Sequence, residues 1–259
     1  MTHHRFFLPA FLVAAAAAAL SPQAFAQCQP IAAVPYAISA PGSYCVTADL
    51  VTAQTSGGAI EVNADNVVID FQGHTLDNTS AGLRTLAEGV HSLNRQGITV
   101  RNARLVGFYV GVHLDITTDS RNHVVENNRF ERNRFKAIQL EGYDNIMRGN
   151  LVLDTGGAGH HCDGVSACEN QMNGSVQAYN NTIINVGVGE DEASPDGMML
   201  YCKNTIAIGN RIAHAGDSGL SIGGGFCKDN ILVDTPGRPY DPSYGYGCKL
   251  VGSTNSVWP

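Results

Sequence analysis

The chain has 259 residues, with 29 glycines, 20 asparagines and a formal net charge of −7. An acidic chain of this kind repels nucleic acid and anionic membrane surfaces, so we expect neither as a partner. So many turn-forming residues argue against a helical bundle and predict an all-β protein.

The N-terminal segment has the pattern of a secretory signal peptide. Arg5 precedes an apolar run over residues 6–20, and Ala24-Phe25-Ala26 has the small-x-small pattern of a cleavage site. We therefore expect residues 1–26 to be removed and the protein to be secreted or periplasmic. No later apolar run of the sequence approaches the length of a transmembrane helix, so we expect no membrane span after cleavage.

A repeated segment dominates the middle of the chain. Successive copies place a turn residue every 20 to 31 residues, at Gly73, Ala103, Asn128, Asn150, Asn181, Asn210 and Asn230. Each interval holds two or three short alternating strands, and one such unit cannot bury its own apolar side, so the units must stack. We predict a parallel β-helix of about seven coils over residues 58–237. The asparagines should form a column, because an asparagine tolerates left-handed backbone geometry and can hydrogen-bond to its counterpart one coil away.

These repeats resemble those of right-handed parallel β-helix proteins, the pectin-lyase-like superfamily. The run over residues 66–77, which contains Gly-His-Thr-Leu, is typical of a first coil in that group. The resemblance implies a single-stranded right-handed solenoid, with residues 27–57 as an N-terminal cap and residues 238–259 closing the other end. It does not fix the activity, because the fold carries lyases, hydrolases, epimerases and non-catalytic surface proteins.

Seven cysteines in an exported chain predict three disulfides and one cysteine left over. The expected pairs are Cys28–Cys45, Cys168–Cys202 and Cys227–Cys248, which leaves Cys162, while a Cys202–Cys227 pair is the alternative.

A second repeated frame places polar residues in one row. In each copy of this second frame a glycine or alanine recurs at one position. The residues directly before it are Glu88, Val110, Lys136, Asp163, Asp196 and Ser218, and Asp217 lies one position before Ser218. Stacked coils bring equivalent positions to about 4.8 Å. Like charges at that spacing either shift each other's pKa values or recruit a cation, so this row is the candidate active centre.

The leading hypothesis for the row is a polysaccharide lyase that acts on an acidic, uronate-containing glycan. Lys136, or Arg134 near it, would take a proton alpha to the uronate carboxylate. Asp163 and Asp196 would hold Ca²⁺ to acidify that proton, with Glu190 and Asp191 as further metal ligands from the adjacent acidic loop.

Two alternatives stay open. A glycoside hydrolase would use Asp196 and Asp217 as acid and base. Ser194-Pro-Asp-Gly197 resembles the Asn-Thr-Asp motif of polygalacturonases, and Gly216-Asp-Ser218 lies where their Asp-Asp pair would follow. The other alternative is a non-catalytic cell-envelope protein that serves in adhesion or metal handling. We expect an enzyme that acts as a monomer.

Histidines supply the remaining candidate sites. His160, His161 and Cys162 offer Zn²⁺ or Cu²⁺ ligands, and His161 is also a candidate acid or base for the neighbouring row. His91 and His113 occupy the same position of neighbouring coils and should stack outward. With Arg95 they would form a basic strip that binds an acidic sugar chain.

Overall fold

The computed structural model describes residues 28–158, 162–170, 172–187 and 195–235, together with the backbone of three short strands further on. Within these residues the strands, numbered in chain order, form three parallel sheets, and Thr79–Ala81 forms a 3₁₀ turn. Sheet A contains β1 (Gln29–Ile31), β3 (Gly42–Val46), β6 (Val67–Asp70), β9 (Thr99–Arg101), β12 (Val124–Glu126), β15 (Asn145–Arg148), β18 (Ser175–Tyr179), β21 (Asn204–Ile208), β24 (Gly225–Lys228) and β27 (Cys248–Leu250). Sheet B contains β2 (Tyr36–Ile38), β5 (Gly58–Val62), β8 (Glu88–Leu93), β11 (Val110–Asp115), β14 (Lys136–Leu140), β17 (Asp163–Ala167), β20 (Asp196–Leu200), β23 (Leu220–Ile222) and β26 (Tyr240–Asp241). Sheet C contains β4 (Leu50–Val51), β7 (Thr75–Asp77), β10 (Arg104–Val106), β13 (Arg129–Glu131), β16 (Leu151–Thr155), β19 (Thr182–Val186), β22 (Arg211–Ala215), β25 (Ile231–Val233) and β28 (Ser256–Trp258).

The chain visits the three sheets in rotation, and each strand pairs in parallel with the equivalent strand of the next coil. This is a parallel β-helix, so the predicted all-β solenoid is confirmed. Strands β5 to β25 make seven coils of the described chain, which is the number predicted for residues 58–237. The segments predicted as a cap and as a closing segment add strands to all three sheets: β2, β3 and β4 form a coil before β5, and β26, β27 and β28 form one after β25.

Inward side chains of successive coils form the core. On sheet C, residues in register from coil to coil are apolar and buried, as Leu105, Phe130 and Val152 illustrate. Phe71 and Phe108 fill the same core and are also fully buried. This stacking explains why one repeat cannot fold alone: each apolar side chain is covered mainly by its equivalents in the neighbouring coils.

The predicted asparagine column exists at the turn between sheets A and C. The side-chain oxygen of Asn150 accepts hydrogen bonds from the backbone N–H and the side-chain amide of Asn128, both at 3.1 Å. Asn181, Asn210 and Asn230 continue the same pattern with bonds of 2.9 to 3.1 Å. One detail of the prediction is wrong: the left-handed backbone belongs to the residue before the column, such as Asn127 with φ 55°. The column asparagine is therefore selected for its hydrogen bonds.

Two predicted disulfides are confirmed among the described residues. Cys28 pairs with Cys45 at a Cα–Cα distance of 5.6 Å, and Cys168 pairs with Cys202 on the adjacent coil at 5.0 Å. Cys227 is also disulfide-bonded, whereas the side chain of its predicted partner Cys248 lies outside the described residues. Such bridges indicate an extracellular or periplasmic protein. No helix of the described chain is long and apolar enough to cross a membrane. The predicted signal peptide, residues 1–26, is not among the described residues.

Candidate active site on the outward face of sheet B

Strands of sheet B present two outward rows because their first and fourth residues point away from the core. A Cβ added at Gly164 or Gly197, the second residue of its strand, would meet the core side chains of Ile183 or Ile212 at 2.5 and 2.3 Å. The second residue therefore points inward, and the first residue points outward. We call the two rows together the outward strip.

The first row of the outward strip is the one that the sequence predicts. Val110 is in register with Glu88 on one side and with Lys136 on the other, Lys136 with Asp163, and Asp163 with Asp196. The second row follows three residues later in each strand and contains Glu61, His91, His113, Gln139, Ser166, Met199 and Ser221.

Lys136 lies between two carboxylates in the middle of the strip. Its ammonium Nζ is 3.3 Å from Asp163 Oδ2 and also forms an ion pair with Glu169. It lies 4.4 Å from the ring centre of Phe135, which adds a cation–π contact. The Lys136 side chain is only 1% exposed and that of Asp163 is fully buried, so these charges stabilise each other away from bulk water.

Asp196 is the most strongly perturbed carboxyl group of the strip. Burial, together with the negative charges of Asp163 and Asp217, raises its pKa from 3.8 to about 6. Hydrogen bonds oppose this rise without cancelling it: the Ser221 hydroxyl donates to the carboxylate, as does the Ser218 backbone N–H at 3.1 Å. Asp196 therefore holds a proton in mildly acidic solution, which is the property of a general acid.

Asp217 lies beside Asp196, as the sequence frame predicts. Its backbone N–H donates to the Pro195 carbonyl at 2.9 Å, and its charge is close enough to raise the pKa of Asp196. Asp217 is half-buried, whereas Asp196 is 4% exposed. The two aspartates thus combine a buried proton donor with a more accessible carboxylate.

Arg134, the alternative base of the lyase hypothesis, has a different environment. Its guanidinium donates to the backbone carbonyls of Thr85 at 3.1 Å and Gly157 at 2.5 Å. It therefore ties together two loops that are far apart in sequence. A permanently charged group with this bonding does not suit the role of a proton acceptor.

Sequence reasoning missed Glu61 in the second row and two further glutamates that line the strip. Glu141 follows β14, is fully buried, and accepts hydrogen bonds from Gln139 at 3.2 Å and from the Asn170 backbone N–H at 3.1 Å. Burial raises its pKa. Glu169 forms an ion pair with Lys136 from the turn that follows Cys168. In the sequence, the predicted Cys168–Cys202 disulfide is the signal that could have located this turn.

The N-terminal part of the strip alternates carboxylates with imidazoles. His113 is in register with His91, and their ring centres are 5.6 Å apart. His91 Nδ1 lies 2.8 Å from Glu61 Oε2, and His113 Nδ1 lies 2.8 Å from Glu88 Oε1.

The environment of these imidazoles is acidic, which changes the interpretation of the predicted basic strip. Burial lowers the pKa of His113, but its hydrogen bond to Glu88 and the charges of Glu88, Asp115 and Glu141 outweigh this effect, so the pKa is raised. Among the described contacts, none joins Arg95 to either histidine. The basic strip of His91, His113 and Arg95 stays a prediction.

Several predicted ligands lie outside the described residues, namely His160, His161, Glu190 and Asp191. Cys162 is described and is fully buried. Among the described residues, Glu88, His91 and His113 form the group of three side chains whose ligand atoms are close enough to hold a metal ion. Asp163 and Asp196 do not belong to such a group within the described chain. The Ca²⁺ prediction, which also depends on Glu190 and Asp191, stays a prediction.

A separate open groove of about 500 Å³ lies at the asparagine turn, between sheets A and C, and is lined by Asn102, Arg104, Arg129 and Leu151 among others. Both arginines pair with Glu131, Arg104 through Nη2 at 2.6 Å. The groove is therefore not part of the outward strip.

Comparison with known proteins adds little to this description. No family model and no curated protein matches the chain. Among solved structures, a match is the catalytic unit of a thermostable GH87 alpha-1,3-glucanase from Streptomyces thermodiastaticus strain HF3-3. It is 13% identical with a TM-score of 0.33, and the alignment covers 86% of this chain and 62% of that one. A likeness at this level bears on neither fold nor activity. The assignment as a parallel β-helix protein depends on the strand pairing of the chain itself.

Proposed function

We propose that the protein is a carbohydrate-active enzyme that hydrolyses a glycosidic bond of a polysaccharide along the outward strip, with Asp196 as the proton donor. The observation that carries this proposal is the Asp196 carboxyl group, whose pKa is raised to about 6 beside Asp163 and Asp217. Glycosidases use two carboxyl groups whose environments differ in this way. The repeats' resemblance to the pectin-lyase-like superfamily, which includes hydrolases, is compatible with this role.

The two carboxyl groups would divide the reaction between them. Asp196 would protonate the glycosidic oxygen as the bond to the anomeric carbon breaks. Asp217 would act on the opposite side of the sugar, either as a base that activates water or as a nucleophile, and the separation of the carboxyl groups in the substrate complex decides which. Lys136 would not touch the substrate; it would compensate the charge of Asp163 at 3.3 Å.

Hydrolysis fits the site better than β-elimination by Lys136. A lysine base must lose its proton before it can accept one from the substrate. The Lys136 ammonium is held in ion pairs with Asp163 and Glu169, and both pairs would have to break before it could reach a substrate.

The charge of the strip favours a neutral glycan. Carboxylates outnumber cationic side chains along it, because Glu61, Glu88, Glu141, Glu169 and Asp163 all face the strip or its edge. A uronate-containing chain would be repelled unless a bound cation compensated these charges. We therefore propose a neutral polysaccharide, with the acidic glycan as the alternative.

The test compares products from neutral glucans and xylans with products from pectate, alginate and glycosaminoglycans. Hydrolysis creates new reducing ends without ultraviolet absorbance, whereas elimination creates unsaturated, absorbing ends. We expect Asp196→Asn to lower the rate by roughly 100-fold or more, the contribution typical of general acid catalysis. Asp154→Asn is the matched control, because Asp154 is an exposed carboxylate of sheet C.

Two outcomes would contradict the proposal. Absorbing ends from an acidic glycan, lost in Lys136→Met, would support the lyase. Cleavage of no glycan in the panel, with Asp196→Asn changing only stability, would support the non-catalytic alternative.

A further inference from the structure

The N-terminal end of the outward strip brings two imidazoles and a carboxylate together from neighbouring coils. Glu88, His91 and His113 each offer one ligand atom, and these atoms all lie within 4.8 Å of one another. We propose that these three residues form a binding site for a divalent transition metal ion, Zn²⁺ being the ion whose preferences they match best.

The spacing of the ligand atoms suits a small tetrahedral ion. His113 Nδ1 is 2.8 Å from Glu88 Oε1, and His91 Nε2 is 3.7 Å from Glu88 Oε2. Bonds of about 2.0–2.1 Å place the ligand atoms of tetrahedral Zn²⁺ roughly 3.3 Å apart. This spacing lies between the two distances and within the 4.8 Å limit that holds for all three ligand atoms. Three protein ligands leave a fourth position for water.

An outer carboxylate orients the His91 imidazole, as at metal sites. The other ring nitrogen of His91, Nδ1, lies 2.8 Å from Glu61 Oε2, and the Gly58 backbone N–H donates to Glu61 Oε1 at 2.7 Å. The other ring nitrogen of His113, Nε2, is buried without a hydrogen bond in the described structure and lies 3.9 Å from Asp115 Oδ1. A carboxylate bonded behind a ligating histidine fixes the ring and strengthens the metal bond, the role that Glu61 would have for His91.

Charge at the cluster also favours a cation. Within the described residues, neither Glu61 nor Glu88 forms an ion pair with a lysine or arginine, although both face the same cluster. The side chains of His113, Glu88 and His91 are 15%, 18% and 24% exposed, so an ion can reach them from solvent.

This site is independent of the proposed hydrolysis. Glu88 and Asp196 stand four coils apart in the same row, roughly 19 Å at 4.8 Å per coil. Failure of one proposal therefore leaves the other intact.

The test uses the full chain without an affinity tag, stripped of metal by a chelator and dialysed. Titration with Co²⁺, followed by visible absorption, and with Zn²⁺, followed by calorimetry, should show one equivalent bound. We expect His91→Gln and His113→Gln each to weaken binding by more than 100-fold, and Glu61→Gln, which keeps all three ligands, by about 10- to 100-fold. The matched control is His214→Gln, since His214 pairs with Asp234 at 2.8 Å on an exposed surface of sheet C.

Unchanged Zn²⁺ uptake in His91→Gln and His113→Gln would overturn the proposal, because the ion would then bind elsewhere. The absence of any uptake by the unmodified chain would overturn it as well. Circular dichroism checks that each variant is folded, and Glu61→Gln supplies the test if a ligand variant is not.

Discussion

Replacing Asp196 by asparagine should change how stability depends on pH. The folded chain holds the Asp196 proton more tightly than the unfolded chain, since its pKa rises from 3.8 to about 6 on folding. The stabilisation is complete below the unfolded pKa and is lost as the pH rises through the folded one. At about 1.4 kcal/mol per pKa unit, the full loss is about 3 kcal/mol, of which about 2 kcal/mol falls between pH 4 and pH 7.

The assay is urea unfolding of the wild type and Asp196→Asn at several pH values over this range. Asparagine cannot ionise, so the free energy of unfolding of the wild type minus that of the variant should fall by about 2 kcal/mol from pH 4 to pH 7. Asp154→Asn, on the exposed side of sheet C, is measured in parallel as the control for the substitution itself. Parallel pH curves for the wild type and Asp196→Asn would refute the reasoning, because they would mean that burial and its acidic neighbours do not perturb Asp196.

Two further predictions concern stability. Asn181→Ala should lower the free energy of unfolding by about 2–4 kcal/mol in urea, because it leaves a buried backbone N–H of the preceding coil without its acceptor, whereas the exposed Asn204→Ala should cost about 1 kcal/mol or less. Glu131→Gln should destabilise the protein by about 1–2 kcal/mol at pH 7, since hydrogen bonds from Arg104 and Arg129 hold the pKa of Glu131 at about 2. Because this pKa is lowered, the difference should be present above pH 4.5 and vanish as the pH falls towards 2, which acid titration of both proteins checks.

The solenoid could be predicted from sequence because turn residues recur once per coil and fix the register between neighbouring coils. Asn150 and Asn181 are 31 residues apart, yet the repeat alone identified them as neighbours. The terminal segments were predicted as a cap and a closing segment because copies of the repeat were recognised only between residues 66 and 233. β2 spans only three residues, Tyr36–Ile38, and a strand of that length shows no readable alternation.

The candidate site could be predicted only where it follows the register. Lys136, Asp163 and Asp196 occupy the same position of the repeated frame, so the sequence predicted their order along the row. Glu169 lies in a turn, where the direction of a side chain depends on local geometry that the repeat does not encode. The position of Glu61 could have been predicted. Gly58 to Glu61 aligns with Glu88 to His91, so extending the frame one coil back places the Glu61 carboxylate beside His91.

The electrostatics of the strip have one common origin in the coil spacing. Stacking places polar residues of one row about 4.8 Å apart, where uncompensated like charges repel strongly once they are buried. The chain relieves this repulsion differently along the strip. Lys136 supplies a positive charge beside Asp163, and Asp196 keeps a proton to about pH 6. At the more exposed end, His91 and His113 separate the carboxylates of Glu61 and Glu88. A proton donor and a metal site are thus two results of the same constraint, because a row of carboxylates in a parallel β-helix must bind either protons or cations.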